Sequence, residues 1–154
     1  MVNEYRAAIH RMTRAYATTA EERQELFQEI VYQLWRSFPR FRGEASRFTW
    51  VYRVALNTAI SSARRRLRQP AHIELTEAHH PVAPPSATDD DTALRRLTSA
   101  MQQLTDVERA LMTCYLEDMS YKRMAEVLGI SESNVGVRLH RVKAKLQDIV
   151  RTME

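Results

Sequence analysis

The chain has 154 residues, 44% of them hydrophobic, with a net charge of +4, one cysteine and three glycines. One cysteine excludes a disulfide framework and a cysteine-built zinc site, and so few glycines exclude a glycine-rich phosphate loop. There is no run of 18 apolar residues and no charged leader before an apolar stretch, so a cytoplasmic protein with no membrane insertion of its own is expected.

The charge is uneven along the chain. Residues 1–70 carry 13 basic against 6 acidic side chains, residues 71–100 carry 2 against 5, and residues 101–154 carry 8 of each. A basic first half suits a polyanion partner, and it equally suits a soluble surface. Charge alone does not choose between them.

A first helix is expected over residues 2–16. A second opens with Thr19 and Glu22, a capping box in which each side chain satisfies the other residue's free backbone N–H. Its apolar residues Leu26, Phe27, Ile30, Val31, Leu34 and Phe38 recur every three or four positions, which predicts one buried face, and Pro39 ends it. Ser46 is the expected N-cap of a third helix.

In that third helix Val51, Val54, Ala55, Thr58, Ala59 and Ser62 are expected to face neighbouring helices. Arg53, Asn57, Ser61, Arg64 and Arg68 follow one another at intervals of four, four, three and four, so they share another face, with Arg65 and Arg66 adding to the basic end. A row of arginines interrupted by an amide can lie along phosphates and read a base edge. The same row can also be an ordinary solvated face. Phe48 and Trp50 stand beside it, where aromatic rings can stack on unpaired bases or belong to the core.

Residues 69–91 break the pattern, with Pro70, Pro81, Pro84, Pro85 and three consecutive aspartates, and are read as a flexible tether. His72, His79 and His80 lie in it without nearby helical-spaced ligands, so no metal is expected. After the tether, Thr105 and Glu108 form a second capping box, opening a helix expected to bury Val107, Leu111, Met112 and Tyr115. Cys114 in that helix reads as a packed thiol. Ser120 caps a short helix ending at Leu128, Gly129 turns the chain, and Ser131 caps a last helix running to about residue 150.

Ala125, Gly129 and Val135, at intervals of four and six, fit a helix-turn-helix: a small residue for close approach, a glycine for the turn, an apolar residue to seat the second helix. That second helix would then present Glu132, Ser133, Asn134, Gly136, Val137, His140, Arg141 and Lys143 to a major groove. A plain helical interaction domain also fits this half, whose net charge is zero. Its basic groups nonetheless fall on the last helix, 5 against 3 acidic over residues 131–154. No serine–histidine–aspartate, cysteine–histidine or paired-carboxylate grouping supports catalysis, so a non-enzyme without a cofactor is expected.

Taken together, ELFQEIVYQLW (25–35), FRGEASRFTWVYRVALN (41–57), LGIS (128–131) and VGVRLHR (135–141) resemble the extracytoplasmic-function (ECF) sigma factors, a two-domain class of bacterial RNA polymerase specificity subunits. The resemblance implies an all-α chain of two small helical domains: region 2 over residues 1–69, a flexible linker over 70–95, and helix-turn-helix region 4 over 96–154. It implies docking on core RNA polymerase through Glu25, Gln28, Glu29 and Gln33. It implies recognition of the melted −10 element by the loop from Gly43 to Phe48 and by Phe48, Trp50, Arg53, Asn57, Ser61, Arg64, Arg65 and Arg68. Duplex −35 DNA would be read through Ser133, Asn134, Gly136, Val137, Arg138, His140, Arg141 and Lys143. Promoter DNA and an anti-sigma factor are the further partners it implies. The chain departs from the family pattern at Gly136 and Val137, where a basic and a small polar residue are common, and at Ser61, where an aspartate is frequent. Two rivals fit parts of the sequence: a stand-alone helix-turn-helix regulator, which needs a dimer interface not visible here, and a helical adaptor, which leaves the arginine row unexplained.

Overall fold

A computed structural model describes residues 2–68 and 89–153, and those residues are helical with no strand among them. The N-terminal half comprises α1 (Val2–Tyr16), α2 (Ala20–Ser37), a 3-10 turn (Phe38–Arg40) and α3 (Arg47–Arg68). The C-terminal half comprises α4 (Asp89–Met101), α5 (Asp106–Leu116), α6 (Tyr121–Leu128) and α7 (Glu132–Thr152). No helix among the described residues is long and apolar enough to cross a membrane.

The helix starts follow local chemistry. Thr19 Oγ1 accepts from the N–H of Glu22 at 3.1 Å while Glu22 accepts from the N–H of Thr19 at 3.4 Å. The second capping box, Thr105 with Glu108, closes at 3.3 and 2.8 Å. Ser46, Ser120 and Ser131 each accept from the N–H three residues on. Gly129 ends α6 with φ +69°, a left-handed conformation that glycine adopts without a Cβ penalty, and its N–H returns to the Ala125 carbonyl.

In the N-terminal half α1, α2 and α3 pack on one another around Ile9, Met12, Leu26, Ile30, Leu34 and Val51. Phe27 and Val31 flank this core half-buried, and Phe38, expected on the buried face, is half exposed. The cause is Pro39: α2 stops at Ser37, and the chain turns away through the 3-10 turn before Phe38 can reach the core.

In the C-terminal half α5, α6 and α7 pack together, α4 lies on α7, and the core holds Leu111, Met124, Val135 and Leu139. Helix α5 corrects one expectation. Leu111 and Met112 are buried, but Val107 and Tyr115 are exposed. Six consecutive residues, Arg109–Cys114, are buried instead, because neighbours surround the middle of this 11-residue helix and leave its two ends in solvent. Cys114 is fully buried, and burial, with Glu117 nearby, pushes its thiol up to about 12.

Helix α4, over Asp89–Met101, was not expected. Leu97, Ala100 and Met101 recur at helical spacing, and Ala100 and Met101 are buried. A short, largely polar helix of this kind is stabilised by that packing rather than by its own pattern. The three tether histidines and Pro70, Pro81, Pro84 and Pro85 lie outside the described residues.

Candidate nucleic-acid and polymerase interfaces

On α3 the two faces separate as the spacing requires. Val51, Ala55, Thr58 and Ala59 are buried, Val54 and Ser62 half-buried, and Arg53, Asn57, Ser61, Arg64, Arg65 and Arg68 exposed. The basic last turn also complements the negative end of the helix dipole.

Several of these side chains are already engaged. Arg53 donates from Nε and Nη2 to the Glu126 carbonyl, at 2.9 Å from Nε. Arg64 pairs with Asp106 at 2.9 Å, and Arg65 pairs with Glu29. Arg66 bonds both the Glu22 carboxylate and the Tyr16 carbonyl, so it clamps α3 to α1 and α2.

The aromatic pair flanking the start of α3 is half-buried. Phe48 packs 4.5 Å from Tyr52 and edge-on to Tyr5, with the Arg123 guanidinium 4.1 Å above its ring. Trp50 sits 5.1 Å from Phe41 and edge-on to Phe38. These rings frame the loop between the 3-10 turn and α3, where Gly43 takes φ +75° and nothing lies within 4 Å of an added Cβ.

On α2 the four residues expected at a polymerase contact divide. Glu25 and Gln28 are exposed, Gln33 is half-buried, and Glu29 turns to Arg65 on α3. The sequence reading passed over Tyr32 and Trp35, which are 53% and 73% exposed with ring centroids 6.4 Å apart. Glu25, Gln28, Tyr32 and Trp35 recur at three, four and three, the signal that finds them: one outward stripe with two large rings that no core uses.

On α7, Val135, Leu139 and Val142 are buried, while Ser133, Asn134, Val137, Arg138, His140 and Arg141 are exposed side by side. Glu132 is exposed at the first turn. Two expected residues sit differently. Gly136 is half-buried, and a Cβ there would lie 3.5 Å from the Tyr121 ring. Lys143 is half-buried with its ammonium 3.8 Å over the Tyr115 ring, which ties it to α5. Close packing of α6 on α7 at Val135, after the Gly129 turn, is the geometry of a helix-turn-helix.

The Sigma-70 region 2 family model matches residues 1–69, and the Sigma-70 region 4 family model matches residues 94–146. The chain is 28% identical to the RNA polymerase sigma-H factor of Pseudomonas aeruginosa, over 93% of this chain and 80% of that protein. It is 25% identical to the ECF RNA polymerase sigma-E factor of Haemophilus influenzae, over 84% and 75%. Among solved structures it is similar to CnrH in complex with the cytosolic domain of CnrY, with a TM-score of 0.72, 19% identity, and 99% and 86% of the two chains covered. It is similar too to the sigma factor RpoE of Bartonella quintana in complex with the anti-sigma factor NepR, with a TM-score of 0.71, 16% identity, and 97% and 94% covered.

Proposed function

Because the chain belongs to the sigma-70 family as a two-domain ECF sigma factor, we propose that α1–α3 bind core RNA polymerase and the melted −10 strand while α7 reads the −35 duplex. The observation that carries this assignment is the exposed row Arg53, Asn57, Ser61, Arg64 and Arg68 on α3, with a second, separate exposed row on the helix-turn-helix of the same chain.

The two rows suit different forms of DNA. On α3, cationic groups hold phosphates and the Asn57 amide meets an unpaired base edge. Unstacking a base costs a few kcal/mol, so contacts that exist only with the opened strand favour melting. On α7, Asn134, Arg138 and Arg141 offer donors to base edges and phosphates of an intact major groove, and Val137 offers an apolar contact to a thymine methyl. Gly136, whose missing side chain makes room for the Tyr121 ring of α6, offers no side-chain contact to a base. On α2, Glu25 and Gln28 dock the chain on the polymerase clamp. The protein acts in the cytoplasm, carries out no catalysis itself, and is held inactive by an anti-sigma factor, the kind of partner named for the Bartonella quintana neighbour.

The test is co-elution of the purified chain with bacterial core RNA polymerase, followed by binding to a fork DNA with a duplex −35 and an open −10 segment. Tight association with the core enzyme, and sequence-specific DNA engagement only in its presence, is the expected result. Direct, specific binding to duplex DNA with no affinity for the core enzyme would replace this reading with a stand-alone regulator.

A further inference from the structure

We propose that the Tyr121 ring of α6, left bare by Gly136, is part of the −35 reading surface and selects an A·T pair by contact with the thymine methyl, an assignment that rests on the functional reading above.

Gly136 lies in the second turn of α7, between the exposed Ser133 and Asn134 and the exposed Val137 and Arg138. Glycine destabilises a helix relative to alanine, and no left-handed backbone calls for it here. A Cβ at this position would meet Cε2 and Cδ2 of Tyr121 at 3.5 and 3.9 Å, which is ordinary van der Waals contact. An alanine therefore fits, whereas a longer side chain would continue from that Cβ across the ring. The glycine leaves the ring uncovered. Tyr121 is 46% exposed although it packs against the recognition helix.

The ring stands on a rigid element. Ser120 caps α6, accepting from the N–H of Arg123 at 3.1 Å, so Tyr121 begins a helix rather than ending a loop. The Gly129 turn and the buried Val135 seat that helix on α7. Val137, the next residue along α7, is 51% exposed. Two apolar side chains thus interrupt a row in which Asn134, Arg138 and Arg141 carry hydrogen-bond donors. The thymine methyl is the one apolar group that base edges offer in the major groove. Guanine presents two acceptors there and cytosine an amino donor, and a bare ring would strip these of water without replacing the lost hydrogen bonds. The ring therefore favours A·T and penalises G·C. A cationic side chain at position 136 would do the reverse, by holding guanine O6 and N7.

The test uses the holoenzyme assembled from the full chain and core polymerase, with −35 duplexes selected from a randomised pool by the wild-type chain. Replacing single thymines by uracil then removes only the methyl. At one thymine this replacement is expected to weaken binding about fourfold, and to do so still in Val137→Ala. Tyr121→Ala is expected to abolish that sensitivity and Tyr121→Phe to keep it. Gly136→Lys leaves the ring in place but covers it, and is expected to abolish the sensitivity and to favour guanine at that pair. A ring with only a structural role would weaken every duplex alike and leave the discrimination of thymine from uracil intact. That result, or selected duplexes without a thymine, would overturn the assignment. If Tyr121→Ala loses its melting transition, Gly136→Lys decides alone, and unchanged uracil sensitivity in that variant overturns the assignment. A wild-type holoenzyme indifferent to every change in the −35 duplex would sink the functional reading itself.

Discussion

Arg109 is a buried guanidinium held by carbonyls rather than by a carboxylate. It donates to the carbonyls of Met101, Gln102 and Leu104, where α4 ends, and lies 5.1 Å from the centre of the Tyr16 ring on α1. Helix ends leave carbonyls without partners, so one side chain here completes α4 and ties it to α5. Arg109→Met fills similar volume but strands those acceptors, and a loss of about 3 kcal/mol in urea-denaturation stability is expected. Asn57 is the opposite kind of residue, exposed and used by no core. Asn57→Ala is expected to leave the melting temperature unchanged and to slow promoter opening by about tenfold, equivalent to about 1.4 kcal/mol of activation free energy. Fluorescence of an unpaired-base reporter in the −10 segment measures it. Trp50, packed on Phe38 and Phe41, cannot give so clean a result, since its removal also opens a gap in the packing. The exposure of Asn57 was legible from its four-residue spacing to Arg53 and Ser61. The buried role of Arg109 was not, because an arginine in a short helix reads as a surface charge until α4 is known to end against it.

At the scale of the helices, capping glutamates make acid stability predictable. Burial pushes the Glu22 carboxyl up, but the N–H and hydroxyl of Thr18, the Arg66 guanidinium and the Thr19 N–H outweigh it and hold the group below its ordinary 4.5. For Glu108, burial is outweighed by Lys145 and the N–H of Thr105, with the same result. A carboxyl with a lowered folded-state value stabilises the fold above its unfolded value, and that contribution is lost as pH falls through the folded one. Stability should therefore decline below about pH 5. Glu22→Gln and Glu108→Gln are expected to start less stable at neutral pH and to lose less on acidification, as measured by denaturation midpoints across the pH series. Helix α2 carries a separate prediction. Large exposed rings in an outward stripe are the residues that dominate binding when a partner covers them. Trp35→Ala is expected to weaken core polymerase binding by about 2 kcal/mol, roughly thirtyfold, with no loss of stability. An unchanged dissociation constant would move the polymerase contact elsewhere. The Glu25–Trp35 stripe was readable in the sequence. It was missed because polar residues draw attention as contacts while aromatic ones at helical spacing are assigned to the core.

For the molecule as a whole, the contacts joining its halves predict joint unfolding. Gln102 on the α4 side donates to the Ala15 carbonyl at 3.0 Å and Tyr16 reaches the Asp106 carbonyl. Both tryptophans, Trp35 and Trp50, lie in the N-terminal half, so their fluorescence reports that half alone, whereas ellipticity reports every helix. Coincident urea transitions by the two probes are expected for the wild-type chain. Separate transitions would mean that the halves unfold independently. The sequence by itself determined the helices with strong caps, the faces of α2, α3 and α7, the helix-turn-helix turn at Gly129 and the family. Each of these is written in spacings of three and four or in a cap within three residues, so local geometry suffices to read it. Only the tertiary structure decided that α4 is a helix, that α5 is buried around its middle, that Lys143 turns to Tyr115, and that Glu126 and Asp106 occupy Arg53 and Arg64. Those outcomes depend on partners far away in the chain, such as Arg53 with Glu126, 73 positions apart. Helical periodicity shows which face of a helix is apolar, but it carries no information on which distant segment comes to rest against it.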